Sequence, residues 1–439
     1  METPPPPPPP LHRNRDYQRL WLAHAFSAFG SQATHVALPL VLLAATHSVT
    51  AFGIVTFVEI ATPLVAGLPA GVLVDRLSRR AVMLVCDLGR AVVFGLFALA
   101  VLTDRVSLPL AVAVAVVNSV LSAPFGPAAS ASMRHVVPKS QLTTAVSLSQ
   151  ARSASVMLAG PMVGAALYAV HPVLPFVVDG LSYVASACCV ALVRLPREAP
   201  AAKARAPFLP DLTTGLREVR RSPFLRYTLV NAALVNFAFA GIVLVLISRG
   251  AGQPSGGFHN GLVIAASGAG NLLGALFSGW AGRTFSPRSL VLAICWSTAL
   301  VTPLLAVFAD PAGTAVLIFL CSLATPSANA VISAARLHTV PDHLLGRVQT
   351  ACGLVPALVI PFGPLLAAAL LERLPSPAVL LLCSAVLLLL AVYSSVTGGL
   401  RQIPDLRERP APAPAASQAT TPAAAPAPAA PRQQAPARP

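Results

Sequence analysis

His135-Val136-Val137-Pro138, followed by Leu142 and then Gly160-Pro161, recurs later in the chain as His338-Thr339-Val340-Pro341, Leu345 and Gly363-Pro364. His135, Val137, Pro138, Leu142, Gly160 and Pro161 each lie 203 positions before their counterpart, with no gap. The same offset carries Gly67 and Gly71 onto Gly270 and Gly274. Matches at one fixed spacing over two separate regions mark a duplication. Two parallel repeats about a common axis, with a binding site near the midplane between them, is an arrangement known from transporters.

The composition around the repeat says what the copies are made of. Of 439 residues, 55% are hydrophobic and only 10% charged, and the mean hydropathy is +0.73. A water-soluble chain carries about a quarter charged residues. Here apolar stretches long enough to cross a hydrocarbon layer about 30 Å thick recur along the sequence. Without water to satisfy the backbone, such stretches must be helical, since the alternating short strands of a barrel are absent from the pattern. Twelve fall at about 20–45, 50–73, 80–102, 107–131, 143–170, 173–193, 224–247, 259–281, 287–308, 312–335, 347–371 and 376–399. The expected fold is therefore an all-α membrane protein of two pseudo-symmetric six-helix bundles, spanning 20–193 and 224–400. A Pro-rich tail, 1–19, precedes them, a polar linker, 194–223, joins them, and a Pro/Ala-rich tail expected to be disordered, 401–439, follows. Seven consecutive prolines, Pro4 to Pro10, cannot form the apolar core of a signal peptide, so the first helix is expected to stay as an anchor. In the linker, Leu209, Leu212, Leu216 and Val219 recur at helical spacing, which predicts a short amphipathic helix on the membrane face.

The net charge of +15 is a matter of topology. Of the thirty arginines and lysines, 25 fall at the tails, the linker and the loops on one side. Three (Arg105, Arg249 and Arg373) fall on the other, and Arg90 and Arg152 lie inside segments. The positive-inside rule then puts both termini and the linker in the cytoplasm of a cell-membrane protein, inner or plasma membrane, and assigns the charge to lipid headgroups rather than nucleic acid. The seven cysteines fall in apolar segments as packing residues. No metal, cofactor or covalent chemistry is called for: the ligand spacings, the Ser/His/Asp pattern and the Walker-type loop are all missing from the sequence. A monomeric non-enzyme acting on a small-molecule substrate is the expectation.

Two motifs carry more specific information. Gly71-Val72-Leu73-Val74-Asp75-Arg76-Leu77-Ser78-Arg79-Arg80 places a close-packing glycine, an acid and three arginines around the turn after the second segment. It resembles the signature between helices 2 and 3 of the major facilitator superfamily, which implies that Asp75 helps latch a cytoplasmic gate. Ser78 stands where that pattern has glycine. Gly160-Pro161-Met162-Val163-Gly164 resembles the helix-5 motif of the superfamily's antiporters, which would imply export. Proline removes a backbone donor, so a kink is expected at Gly160, Pro161 and Gly164, and at Gly363 and Pro364 in the copy. Arg15-Asp16-Tyr17-Gln18-Arg19-Leu20-Trp21, Asp87-Leu88-Gly89-Arg90-Ala91, Asp179-Gly180-Leu181-Ser182 and Gly215-Leu216-Arg217 are similar to the branch holding enterobactin-type siderophore exporters and macrolide-efflux-like proteins.

Five charges fall inside segments: Glu59, Asp87, Arg90, Arg152 and Asp179, all in the first half. A charge at the bilayer centre costs at least about 2.5 kcal/mol on insertion scales, so each is a functional candidate. Asp87 and Arg90 share a helix face and, with Arg152, read as a gate-stabilising network. Asp179 is expected to orient helix 6. Two arginines against three acids leaves one negative charge over, and Glu59, deepest in its segment, is the choice. It would carry a proton, bind a cationic substrate group, or bond a neighbouring helix. Asn118, Asn231, Asn236, Asn271 and Asn329 would line a cavity or tie helices together. The function expected is secondary active transport, proton-coupled efflux of a small amphipathic compound (drug, antibiotic or siderophore-like) by alternating access. The alternatives are an importer or uniporter, or a non-transporting membrane receptor or scaffold.

Overall fold

A computed structural model describes residues 11–194, 208–250, 256–398 and 400. The Pro-rich start, part of the linker and the whole 401–439 tail lie outside the described residues. The described residues belong to one compact unit that ends at Pro404.

Among the described residues, twelve helices are long and apolar enough to cross a membrane. Spans 1–6 run over Arg15–Thr46, Val49–Arg76, Arg79–Leu102, Leu108–Val136, Leu142–Val170 and Leu174–Ala191. A linker helix, Phe208–Arg221, follows. Spans 7–12 run over Pro223–Gly250, Gly256–Thr284, Pro287–Val307, Pro311–Thr339, Asp342–Leu371 and Ser376–Val396.

Polar caps set several starts. Asn14, Ser48, Ser78, Ser286 and Asp310 each accept a backbone N–H of the first turn of spans 1, 2, 3, 9 and 10, satisfying a donor that the helix itself cannot. Asn14 draws span 1 back to Arg15, several residues before the apolar stretch begins. Spans 4, 6, 9, 10 and 12 open on a proline in the first turn, where the missing donor is harmless. The two-residue turn between spans 2 and 3 forms without glycine: Ser78 is extended (φ −63°, ψ 124°) and caps span 3, so the departure from the family pattern at this position supplies a cap.

Proline falls differently in spans 5 and 11. Span 5 is continuous through Pro161. The interruptions fall instead in span 4 at Ala123-Pro124, in span 9 at Thr302-Pro303 and in span 11 at Ile360-Pro361, just ahead of Gly363-Pro364. What the glycines provide is close approach. A Cβ at Gly160 would strike Gln32 and one at Gly164 would strike the Ala33 backbone, both on span 1; one at Gly363 would strike the Phe237 backbone on span 7. Spans 5 and 11 thus press on spans 1 and 7 at equivalent places. Across the halves, span 2 packs on span 11 and span 5 on span 8, contacts that the 203-residue offset exchanges. Such an exchange is what two copies related by a two-fold axis produce.

The linker helix does not lie apolar-side down on lipid. Leu212, Leu216 and Val219 join a core with Phe224, Leu225, Val348 and Cys352 of spans 7 and 11, and Gly215 seats the helix on the Arg347 backbone. That surface belongs to the protein because burial there satisfies the same apolar stripe. Toward lipid, span 3 exposes Val85, Leu88, Val92, Leu96 and Leu99 and buries Met83, Cys86, Asp87, Arg90, Phe94 and Phe97 on its opposite face.

The cores divide unevenly along the membrane normal. Leu40, Leu43 and Phe52, at the end away from the linker, share one cluster with Leu246, Leu305, Ala368 and Leu380 of the second half. Thr50 donates to the Glu372 carboxylate at the same end, and a Cβ at Gly53 would meet Ala368. At the linker end the apolar clusters are separate, one built around Met83, Cys86 and Phe125 of the first half, the other around Phe224 and Val348 of the second.

Candidate functional site

Span 3 carries Asp87 and Arg90 on its buried face, and spans 1, 4 and 6 supply what surrounds them. Arg90 is 3% exposed, yet no carboxylate lies within ion-pair distance among the described residues. Its Nε donates to Asn118 Oδ1 at 2.8 Å, Nη1 to Ser27 Oγ at 3.2 Å, and Nη2 to Ser31 Oγ at 2.7 Å and to the Tyr183 hydroxyl. The guanidinium also lies 4.0 Å from the Tyr183 ring centroid, within cation–π range.

Two fully buried acids reach this cation through one hydroxyl each. Ser27 Oγ accepts from Arg90 and donates to Asp87 Oδ1 at 3.3 Å, and Ser186 donates to Asp87 Oδ2 at 2.5 Å. Tyr183 Oη accepts from Arg90 and donates to Asp179 Oδ2 at 3.2 Å, to which Thr34 also donates at 2.5 Å. Ser182 donates to Asp179 Oδ1 at 3.3 Å. Gly30 makes this possible, because a Cβ there would collide with Asp179 and Ser182. The result is a carboxylate–guanidinium–carboxylate array joining spans 1, 3, 4 and 6 through neutral hydroxyls. Such an array rigidifies only when every member is satisfied, and the four described donors of Arg90 all are.

Arg152 does not belong to that array. Its Nη2 donates to His24 Nδ1 at 2.9 Å and its Nη1 approaches the Trp21 carbonyl at 3.5 Å. The expected three-membered network of Asp87, Arg90 and Arg152 is therefore two separate sites. The expectation of one uncompensated acid also changes, because it counted only arginines. Glu59 of span 2 faces His35 of span 1, with His35 Nδ1 3.1 Å from Glu59 Oε2. The approach has ion-pair distance without hydrogen-bond alignment, so Oε2 has no linear donor.

Glu59, His35 and Arg90 meet on one cavity of about 570 Å³, a size that suits a small organic ligand. The described lining comes from spans 1–5, with apolar Pro63, Phe125, Val156 and Met157 set among Ser27, Ser31, Thr34, Ser119, Ser122, Gln32 and Asn118. Glu59 is the acid among these lining residues. Its side chain is 9% exposed and that of His35 44%, so the imidazole is the more open member of the pair. Of the asparagines, Asn118 lines the cavity, whereas Asn236 and Asn271 bond back to their own helices.

The remaining motif residues are structural where they are described. Arg80 donates to the Ala191 carbonyl and Arg19 to that of Leu192, at 2.7 Å for the latter, closing the C-terminus of span 6. Arg79 opens span 3. The surroundings of Gly71 and the side chains of Asp75 and Arg76 lie outside the described residues.

Residues 8–420 match the family of transmembrane secretion effectors. The chain belongs to this family of major facilitator transporters. Macrolide efflux protein A of Streptococcus pyogenes is 23% identical over 400 residues, covering 89% of this chain and 98% of that one. The uncharacterised MFS-type transporter YfiS of Bacillus subtilis is 30% identical over 234 residues, 49% of this chain and 52% of YfiS. The fold is shared with the nucleoside transporter NupG, at TM-score 0.68 and 12% identity over 87% of this chain and 98% of NupG. It is shared equally with an inward-facing bacterial homologue of the human lysosomal transporter Spinster, at TM-score 0.63 and 16% identity over 91% and 99%. Membership of this family makes the chain a multi-pass membrane transporter for a small-molecule substrate.

Proposed function

We propose that the chain exports a small amphipathic organic compound in exchange for protons, and that Glu59 with His35 is the proton-carrying pair. The observation that carries this reading is the placement of a cavity-wall carboxylate against an imidazole. An arginine partner would hold the carboxylate charged at every accessible pH, because guanidinium does not release its proton. Imidazole exchanges one readily, so the pair can change its net charge while substrate occupies the adjoining space. Amphipathic cargo matches a wall of phenyl, thioether and aliphatic groups with hydroxyls and amides between them.

Export is favoured by the likeness to macrolide efflux protein A, and the uneven core supplies a loading side. With the linker taken as cytoplasmic on the positive-inside rule, the described apolar clusters join the halves on the outer side and stay separate on the inner side. Substrate then loads from the cytoplasm and leaves when the halves rock the other way.

Purified protein in liposomes with an imposed pH gradient tests the assignment, using macrolides, lipophilic cations and siderophores as candidate cargo. Glu59→Gln should bind and exchange cargo across the bilayer yet lose accumulation driven by the gradient. Gradient-driven accumulation by Glu59→Gln at the wild-type level would remove Glu59 from coupling. Equal transport by the wild type with and without a gradient would return the protein to the uniporters.

A further inference from the structure

A second, much smaller space lies at the linker end of the first half, walled by Tyr17, Trp21 and His24 of span 1, Met133 of span 4, and Ser149 and Arg152 of span 5. It measures about 10 Å³, room for one particle of about the size of a water molecule. Three of its wall residues carry a buried polar atom with no hydrogen-bond partner: Tyr17 Oη, Ser149 Oγ and Arg152 Nε. Tyr17 is 3% exposed and Arg152 7%. Orphaned groups in such numbers around one void are rare in native interiors and mark an occupant.

The occupant's chemistry follows from charge. Arg152 Nε can only donate, while the two hydroxyls donate or accept, so hydrogen bonding alone would admit a water. Among the described residues, however, the guanidinium has neutral partners, the His24 ring nitrogen, the Trp21 carbonyl and, at 5.9 Å, the Trp21 ring, and no carboxylate lies within ion-pair distance of it. A buried charge left uncompensated is strongly destabilising, and a water does not compensate it. A monatomic anion does, and Arg152 Nε, Tyr17 Oη and Ser149 Oγ are the unpartnered donors on this wall.

We propose that this space holds one halide-sized monovalent anion, chloride under ordinary conditions, bound by Arg152 Nε, Tyr17 Oη and Ser149 Oγ. The ion fastens the starts of spans 1 and 5 together beside span 4, at the end where the two halves have separate cores. The site shares no described wall residue with the large cavity except His24, and it is independent of the coupling role of Glu59.

Thermal unfolding of the full chain in lipid nanodiscs, in chloride and in gluconate at equal ionic strength, is the test, with bromide anomalous diffraction to place the ion. The expected result is a midpoint several degrees higher in chloride, saturating with concentration. A single bromide peak should lie between Tyr17, Ser149 and Arg152. Both the chloride effect and the peak should vanish in Tyr17→Phe, which removes one donor and keeps the ring, and in Arg152→Gln. If Arg152→Gln does not fold, Tyr17→Phe carries the comparison. Equal midpoints in the two salts for the wild type would leave the space to water and overturn the proposal. So would a chloride effect that survives Tyr17→Phe undiminished.

Discussion

Replacing Gly164 by alanine tests the packing that the duplicated glycines provide. The new methyl group would sit 2.6 Å from Ala33 Cα and 2.8 Å from its carbonyl carbon, and closer still to the carbonyl oxygen. Carbon atoms settle at about 3.5–4.0 Å, so spans 1 and 5 must part by roughly 1 Å. The obstacle is main chain, which no rotamer change can clear. A gap of that size forfeits about a quarter to a half of each dispersion contact along the seam, and overpacking of this kind costs ~1–3 kcal/mol. Against it stands the helix preference of alanine over glycine, up to about 1 kcal/mol. Gly95 in span 3 isolates that second contribution, since a Cβ there meets nothing within 4 Å. Gly164→Ala should therefore unfold several degrees below wild type and Gly95→Ala at or slightly above it, measured by thermal melting in one detergent. Midpoints are the quantity to compare, because two-state behaviour is not assured for a chain of this size. If Gly164→Ala melts level with Gly95→Ala, the close approach of spans 1 and 5 is wrong.

Ser78→Ala should destabilise span 3 by about 1 kcal/mol through loss of its cap, and Ser78→Gly by only a few tenths; equal melting of the two variants would contradict the cap. Arg90→Met leaves Asn118, Ser27, Ser31 and Tyr183 without their shared donor. At about 0.6 kcal/mol for an average hydrogen bond between membrane helices, and more where a charge is involved, the loss should reach ~2–5 kcal/mol. Retention of the wild-type midpoint would show that the array is not built around Arg90. Cysteines introduced together at Thr50 and Glu372 should cross-link under mild oxidation, stop transport, and restore it on reduction, as read in the liposome assay. Undiminished transport by the cross-linked protein would mean that this end does not open during turnover.

Most of the fold was legible because the bilayer leaves few options. Once a stretch is apolar for some twenty residues it must be helical, and the His135/His338 and Gly160/Gly363 pairs gave the symmetry without a structure. Helix starts were less legible where a side-chain cap outreaches the apolar stretch, as Asn14 does. Pro161 shows a different limit: a membrane helix can stay unbroken across one missing donor when its neighbours hold it, and span 1 packs against span 5 at this point.

The site was legible in its charges and illegible in its partners. Asp87 and Arg90 were placed on one face correctly, but their connection runs through Ser27 and Tyr183, on other helices and at separations that no local spacing reveals. Pairing arginines with acids by count also passed over histidine. His24 and His35 both sit within the first apolar stretch, where a titratable ring needs a partner, and that was the available signal for the contacts with Arg152 and Glu59. The linker helix shows the same limit, since an amphipathic stripe announces that it will be buried without saying whether lipid or protein will bury it.

The one-sided seal between the halves has a kinetic consequence. On the proposed rocking motion, Leu40, Leu43 and Phe52 would lose their second-half neighbours when the molecule turns outward, and each fully buried side chain of this kind is worth ~1.5–3 kcal/mol. The described linker-end clusters of the two halves show no equivalent bond. On that motion an empty carrier would rest with its mouth toward the linker, and the unsticking of that greasy seam would be its slowest step, whichever cargo it held.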